Sequence, residues 1–119
     1  MNTEFGQYVR QRRLELQAVR RRGFSLRQVA KAMGVQPSFL SKVERGDSGP
    51  PSEEKIKRLA HILGEDADVL LALAGKVSSD LREAIIKRPK LFAELIRQMK
   101  DAPEQALLRI AREAREGKW

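Results

Sequence analysis

The sequence contains no cysteine and only one histidine, His61. The absence of cysteine excludes a disulfide framework, a thiolate zinc site and a cysteine nucleophile, and it fits a reducing compartment. A single histidine without cysteine or a second histidine is a poor basis for a metal site. We therefore expect no bound metal, with His61 packed at a helix surface.

Long apolar runs are also missing. The longest run, from Val69 to Ala74, is far shorter than the roughly 18 residues that a membrane-spanning helix needs. The first residues, MNTEFGQYVRQRR, have no apolar stretch before a cleavage site and do not resemble a signal peptide. These features predict a cytoplasmic protein that does not enter a membrane.

The motifs of common enzyme classes are absent too. The sequence has no glycine-rich phosphate loop, no H-E-x-x-H and no constellation of His, Cys and Asp. The adjacent acids Glu53 and Glu54 fall at the start of a predicted helix, where negative charge complements the helix dipole. We expect a protein that is not an enzyme and that needs no cofactor.

Basic residues are abundant and unevenly distributed. The chain has 24 Lys and Arg against 16 Asp and Glu, which gives a formal net charge of +8. Residues 1–46 carry 10 basic and 3 acidic residues, a net charge of +7, whereas residues 47–75 carry −3 and residues 76–119 carry +4. Concentrated positive charge suits a polyphosphate partner, and a solubilising surface is the alternative interpretation.

The apolar residues recur with a helical period along the whole chain, and no stretch alternates as a strand would. Glycine, proline and capping residues divide the chain into about eight short helices. A capping box, Ser25 to Gln28, starts the second helix. Five helices are predicted in residues 1–75 and three in residues 76–119. The last three begin near Ser79, Pro89 and Pro103.

The second and third helices carry the strongest structural signal. Ala30 supplies a small side chain where two helices cross closely, and Gly34 tolerates the positive φ that the turn between them needs. The residues that anchor the third helix on the second are Val35, Leu40 and Val43. This leaves an outer face made of Ser38, Ser41, Lys42 and Arg45. A hydrophilic helix held out from a small core fits a major groove about 12 Å wide.

These features together resemble the Cro/repressor (Xre-type) helix-turn-helix family. The resemblance is carried by GVQPSFLSKVERG, a later Pro-Ser and LAHILG, and it extends over residues 4–75. It implies an all-α fold with a five-helix, lambda-repressor-like DNA-binding domain in residues 1–75 and a C-terminal helical extension in residues 76–119. It also implies a transcriptional regulator, in particular a repressor that binds a palindromic operator in double-stranded DNA as a dimer.

The resemblance also assigns contacts with DNA. The family's base-reading positions fall on Pro37, Ser38 and Lys42, with Ser41 beside them. Pro37 departs from the glutamine that is frequent there, and its lack of a side-chain donor limits it to apolar readout. The family's phosphate-facing position falls near Gln28 or Arg27. The residues themselves add Arg45 and Arg22 as candidates for the DNA backbone, with Phe39 as a groove-side contact to a thymine methyl or a sugar. The alternatives are that Phe39 packs against the loop after Gly46 and that the basic residues are only solvated.

Two further features concern the stability of the domain. The family pairs the positions of Arg13 in the first helix and Glu44 at the end of the third, and two independent surface charges are the alternative. The segment from Leu14 to Arg22 is several residues longer than is usual between the first two helices. This departure bears on the pair, because the longer segment follows Arg13 directly.

Residues 76–119 lie outside the resemblance. Each of their three predicted helices has an apolar stripe, and short helices need a cover for such a stripe. The stripes could cover one another, the first domain, or the same helices of a second subunit. We expect a homodimer, because an operator with two-fold symmetry requires one. Its predicted interface centres on Leu91, Phe92, Leu95, Leu107 and Ile110, with Trp119 as a candidate to complete it.

The alternative function is an antitoxin or protein-interaction module. In this interpretation the C-terminal helices bind a toxin or a regulatory peptidase, which are partners that the family resemblance allows. The residues themselves do not distinguish this function from that of a repressor.

Overall fold

The computed structural model describes residues 3–117, and the regular elements within them are all α-helices. The eight helices are α1 Thr3–Val19, α2 Leu26–Met33, α3 Pro37–Arg45, α4 Glu53–Leu63, α5 Ala67–Leu73, α6 Ser79–Lys87, α7 Pro89–Met99 and α8 Glu104–Glu116. Their positions follow the predicted ones closely. The predicted all-α class is therefore confirmed.

Side-chain caps fix where the helices begin. Ser25 Oγ accepts from the backbone N–H of Gln28 at 3.1 Å, and Gln28 Oε1 accepts from the backbone N–H of Ser25 at 3.2 Å. The predicted capping box is thus confirmed. Ser52 in the same way accepts from the N–H of Lys55 at 3.3 Å. Such caps satisfy amides that have no partner within the first turn of a helix.

Helices α1 to α5 enclose one apolar core. Its buried members are Phe5, Val9, Val29, Ala30, Met33, Leu40, Val43, Ile56, Leu59, Ala60, Leu63, Leu70, Leu71 and Ala74. Helix α3 packs against both α1 and α2, while α4 packs against α2 and α5. The core therefore holds α3 along one side and leaves its other side to solvent.

A glycine lets α1 approach the end of α3. Gly6 is buried, and a Cβ atom added to it would overlap the carbonyl oxygen of Val43 and lie 2.9 Å from that of Glu44. Only a residue without a side chain fits against these backbone atoms. Gly6 was not singled out in the sequence, because close approach between two helices leaves no periodic pattern.

The chain divides into two compact units, the first ending at Ser78 and the second beginning at Ser79. The sequence placed this boundary after Gly75. In the second unit α6 packs against α7, and none of the residues in α6, α7 and α8 is buried.

The apolar stripes of the second unit are exposed. Of the residues proposed for a dimer interface, Leu91, Leu95, Leu107 and Ile110 are exposed and Phe92 is half-buried. Trp119 lies outside the described residues. Within residues 3–117, no helix combines the length and the apolar character needed to cross a bilayer.

Candidate nucleic-acid interface

The turn between α2 and α3 depends on Gly34. This residue ends α2 in the left-handed conformation, with φ +77°, where a side chain would be strained. The backbone N–H of Val35 then donates to the carbonyl of Ala30 at 2.9 Å, which closes the turn. Ala30 is fully buried at the crossing, and Val35 is partly buried against the core.

Helix α3 begins with Pro37 in its first turn and ends at Gly46. Pro37 lacks an N–H, which costs nothing there because the first amides of a helix have no intrahelical acceptor. Leu40 and Val43 are buried and fix the inner face of α3 on the core. Apolar packing on one side therefore sets the position and rotation of α3, while Pro37 and Gly46 set where the helix begins and ends.

Two basic residues of α4 donate hydrogen bonds to carbonyl groups at the turn between α2 and α3. Arg58 Nη1 donates to the carbonyl of Met33 at 3.3 Å, and Lys55 Nζ donates to the carbonyl of Gly34 at 3.5 Å. Carbonyls at a helix C-terminus carry partial negative charge and favour such cationic donors. These contacts cannot be predicted from the sequence, since nothing in the spacing of Lys55 and Arg58 indicates which helix end they meet.

The outer face of α3 carries most of the residues assigned to bases. Ser38 and Lys42 are exposed, one helical turn apart, so that both side chains project from the same face. Pro37 and Ser41 are half-buried at the margins of this face. The structure therefore places the four residues together on α3, with Lys42 as the long donor.

The residues assigned to phosphates are more dispersed. Arg22, Arg27 and Arg45 are exposed, and Arg45 Nε lies 3.1 Å from an oxygen of Asp47. Gln28 Oε1 accepts from the backbone N–H groups of Ser25 at 3.2 Å and Gly23 at 3.0 Å, and its Nε2 is the atom that can donate to a phosphate. Phe39 is partly buried against the core.

An additional basic residue lies beside this surface. Arg10 of α1 lines a cavity of about 280 Å³ together with Ser41 and Arg45 of α3 and Leu26 of α2. Arg10 is exposed, and its side chain adds positive charge next to Arg45. The sequence does not indicate this role for Arg10, because its proximity to α3 arises only when α1 packs across the end of that helix.

The predicted pair of Arg13 and Glu44 is present and buried. Arg13 Nε and Nη2 donate to the two carboxylate oxygens of Glu44 at 2.7 Å and 2.9 Å. The side chains are only 8% and 4% exposed, which rejects the alternative of two independent surface charges. A planar guanidinium matches a carboxylate in this two-bond geometry. The pair therefore connects α1 to the end of α3.

Comparison with known proteins identifies the family. The helix-turn-helix domain family matches residues 4–73, which include all five helices of the first unit. The chain belongs to this family. The match confirms the resemblance to Cro/repressor (Xre-type) regulators and the five-helix fold that it implied.

Two similar proteins add detail. The chain is 34% identical over 83 residues to an uncharacterized HTH-type transcriptional regulator, RghRB, of Bacillus subtilis (strain 168). The match covers 67% of this chain and 55% of that protein, so the chain spans about half the length of this helix-turn-helix relative. A solved complex of SinR protein with SinI protein has a chain of similar fold, with a TM-score of 0.50 and 20% identity, covering 96% of this chain and 97% of that chain.

Proposed function

We propose that this chain is a sequence-specific, DNA-binding transcriptional regulator that inserts α3 into the major groove. The observation that carries the proposal is that α3 has one face buried in the core and an opposite, polar face exposed to solvent. Leu40 and Val43 are buried on its inner side, whereas Ser38 and Lys42 are exposed on the other. Family membership supports the same role, and the proposed activity is binding without catalysis.

Lys42 is the main candidate for direct readout. A lysine ammonium donates well to O6 and N7 of guanine, and a serine hydroxyl can donate to or accept from several bases. Ser38 and Ser41 would therefore tune the preference near Lys42, while Pro37 would contribute apolar contact. Exposed arginines around α3 then fix the register of the domain by contacts with phosphates, which carry no sequence information. These phosphate contacts are proposed for Arg22, Arg27 and Arg45, with Gln28 and Phe39 at the margin.

The second unit is proposed to hold two copies together on a palindromic operator. Its exposed large apolar residues are Leu81, Ile86, Leu91, Leu95, Ile96, Leu107, Leu108 and Ile110. A surface this rich in apolar side chains marks an interaction site in soluble proteins. Two copies of α7 and α8 would supply the four amphipathic helices of a bundle. A homodimer would place two α3 helices in successive major grooves, about 34–36 Å apart.

A protein partner is the second candidate for this unit. The chain similar in fold comes from a complex of SinR protein with SinI protein, and the similarity covers 96% of this chain, including α6 to α8. The apolar stripes would then bind a helix of a different protein, with repression or antitoxin activity as the outcome. We propose a cytoplasmic location for either function, because the operator DNA is there.

Selection from random duplex DNA tests the proposed function. Full-length protein is used to enrich bound fragments at low salt, and the enriched sequences are compared with the input pool. We expect a two-fold symmetric sequence whose binding weakens steeply as salt increases, because phosphate contacts release counterions. Absence of any enriched sequence, together with no mobility shift on any duplex at low salt, would reject the function.

A further inference from the structure

The segment between α1 and α2 contains three consecutive arginines, Arg20, Arg21 and Arg22. All three side chains are exposed, and no carboxylate forms an ion pair with them in the part of the chain that the structure describes. The segment connects Val19, the last residue of α1, to Ser25, the N-cap of α2. It therefore places three positive charges without a carboxylate partner between these two helices.

The arginine segment is held in place at both ends. The backbone N–H of Arg20 donates to the carbonyl of Leu16 at 2.7 Å, which continues from α1. The N–H of Gly23 donates to Gln28 Oε1 at 3.0 Å, and Gly23 adopts φ +97°, which favours glycine. These hydrogen bonds fix the backbone of the segment beside the first turn of α2.

The residues that follow the arginine segment contact α1 and line a cavity at α3. Arg13 Nη1 donates to the carbonyl of Phe24 at 3.2 Å while the rest of its guanidinium binds Glu44. Leu26, two residues after Phe24, lines the cavity shared with Ser41 and Arg45. Phe24 and Leu26 thus lie near the end of α3, and the arginine segment ends at Arg22, two residues before Phe24.

The charge near this end of α3 is unbalanced. The first turn of α2 contains Arg27 and no acidic residue, although positive charge at a helix N-terminus is electrostatically unfavourable. Arg10 adds another guanidinium group at the cavity, whereas Arg45 there pairs with Asp47. An extended polyanion would offset this repulsion. Three consecutive residues span at most about 10 Å when fully extended, and one strand of duplex DNA carries about three phosphates over that length.

We propose that Arg20, Arg21 and Arg22 bind the phosphate backbone of duplex DNA outside the base pairs that α3 reads. The interaction extends the footprint of the domain along the flank of its binding site. It contributes affinity without sequence preference, because phosphates are the same at every base pair. This proposal rests on the proposed DNA-binding function, and it extends the phosphate contact proposed for Arg22 to Arg20 and Arg21 on the flank of the site.

Two duplexes that share the same selected sequence test the proposed interaction. One ends at the last base pair enriched by selection, and the other continues on each side by roughly half a turn, about 5 base pairs, of unrelated sequence. The variant replaces all three arginines, Arg20→Gln, Arg21→Gln and Arg22→Gln, in the full chain. We expect wild type to bind the longer duplex more tightly and the variant to bind both equally. On the longer duplex, the slope of log affinity against log salt should become shallower by about 0.9 for each phosphate that the variant no longer neutralises.

Two controls separate this interaction from general effects of charge. Replacing Lys87, Lys90 and Arg97 of the second unit by Gln removes the same charge elsewhere and should leave the preference for the longer duplex unchanged. Replacing the three segment arginines by Lys keeps the charge and should retain the salt slope. Thermal unfolding of each variant shows that the domain remains folded.

Three results would overturn the proposal. The first is wild type with no preference for the longer duplex, and the second is an arginine variant that binds both duplexes more weakly by the same factor. The third is a control variant, with Lys87, Lys90 and Arg97 replaced, that loses the preference for the longer duplex to the same extent as the arginine variant. Failure of wild type to bind either duplex would instead reject the DNA-binding function itself, so the two failures are distinguishable.

Discussion

The guanidinium of Arg13 joins the end of α3 to the segment before α2, because it binds both carboxylate oxygens of Glu44 and the carbonyl oxygen of Phe24. Both charged side chains are buried. A buried charge that loses its partner retains the cost of its removal from water. The stability of the helix-turn-helix therefore depends on the pair being complete.

The first prediction concerns this pair. Glu44→Ala should lower the free energy of unfolding by roughly 3–5 kcal/mol, because it leaves the Arg13 guanidinium buried without its carboxylate. Asp47→Ala is the control, since Asp47 pairs with Arg45 at an exposed site, where an ion pair contributes about 1 kcal/mol or less. Chemical denaturation measures both. Equal stability of Glu44→Ala and wild type would contradict the interpretation of the pair.

The second prediction concerns the close approach of α1 to α3. Gly6→Ala should destabilise the protein by about 1–3 kcal/mol or more, because the added methyl group meets backbone carbonyls that cannot rotate away. Gly49→Ala is the matched control, since a Cβ atom there has no neighbour within 4 Å. Thermal unfolding compares the two variants. A Gly6→Ala protein as stable as the Gly49→Ala protein would show that α1 does not pack on α3 as described.

The third prediction concerns Tyr8, the one tyrosine of the chain. A hydrogen bond with Glu65, followed by desolvation and the negative charge of Glu65, raises the pKa of the Tyr8 hydroxyl above its ordinary value of 10.0. Because the folded protein binds this proton more tightly than the unfolded chain does, protonated Tyr8 stabilises the fold. This stabilisation is fully present below the unfolded pKa of Tyr8 and is lost as the pH rises through its folded pKa. An absorbance titration of the phenolate should therefore have its midpoint above that of free tyrosine.

The matched variant for this titration is Glu65→Gln. It removes the carboxylate charge beside Tyr8 and should lower the midpoint toward the ordinary value. Arg12, whose Nε lies 3.1 Å from a carboxylate oxygen of Glu65, acts in the opposite direction by lowering the pKa of Tyr8. A midpoint unchanged by Glu65→Gln would show that this carboxylate is not the cause.

The fourth prediction concerns base readout. Lys42→Ala should weaken binding to the selected operator by about 1–3 kcal/mol and relax the preference at one base position. The control is Arg27→Ala, which is proposed to touch phosphate and should weaken selected and random duplexes alike. Competition binding with both duplexes measures the difference. Equal losses of affinity on selected and random DNA for Lys42→Ala would remove Lys42 from the base-reading set.

The fifth prediction concerns oligomeric state. Leu91→Gln combined with Leu95→Gln should shift the protein from dimer to monomer in sedimentation, because both side chains lie in the exposed apolar stripe of α7. Lys90→Gln combined with Glu94→Gln changes neighbouring polar positions of α7 and should leave the dimer intact. A wild-type protein that sediments as a monomer would favour a different protein as the partner of the second unit.

The sequence by itself determined the helices, the turn and the inner face of α3. These features are local: a capping box spans Ser25 to Gln28, a left-handed turn needs Gly34, and apolar residues with a helical period define a buried face. The resemblance to a family correctly paired Arg13 with Glu44 across 31 positions. Each of these signals is present in the order and spacing of the residues.

Only the tertiary structure decided which surfaces meet. It placed Gly6 against the carbonyl of Val43, directed Arg58 to the C-terminus of α2 and brought Arg10 beside the cavity at α3. It also left Tyr8 exposed beside Glu65. The physical reason is that helical periodicity specifies one apolar face for each helix, whereas these contacts depend on how the axes cross and which ends lie together.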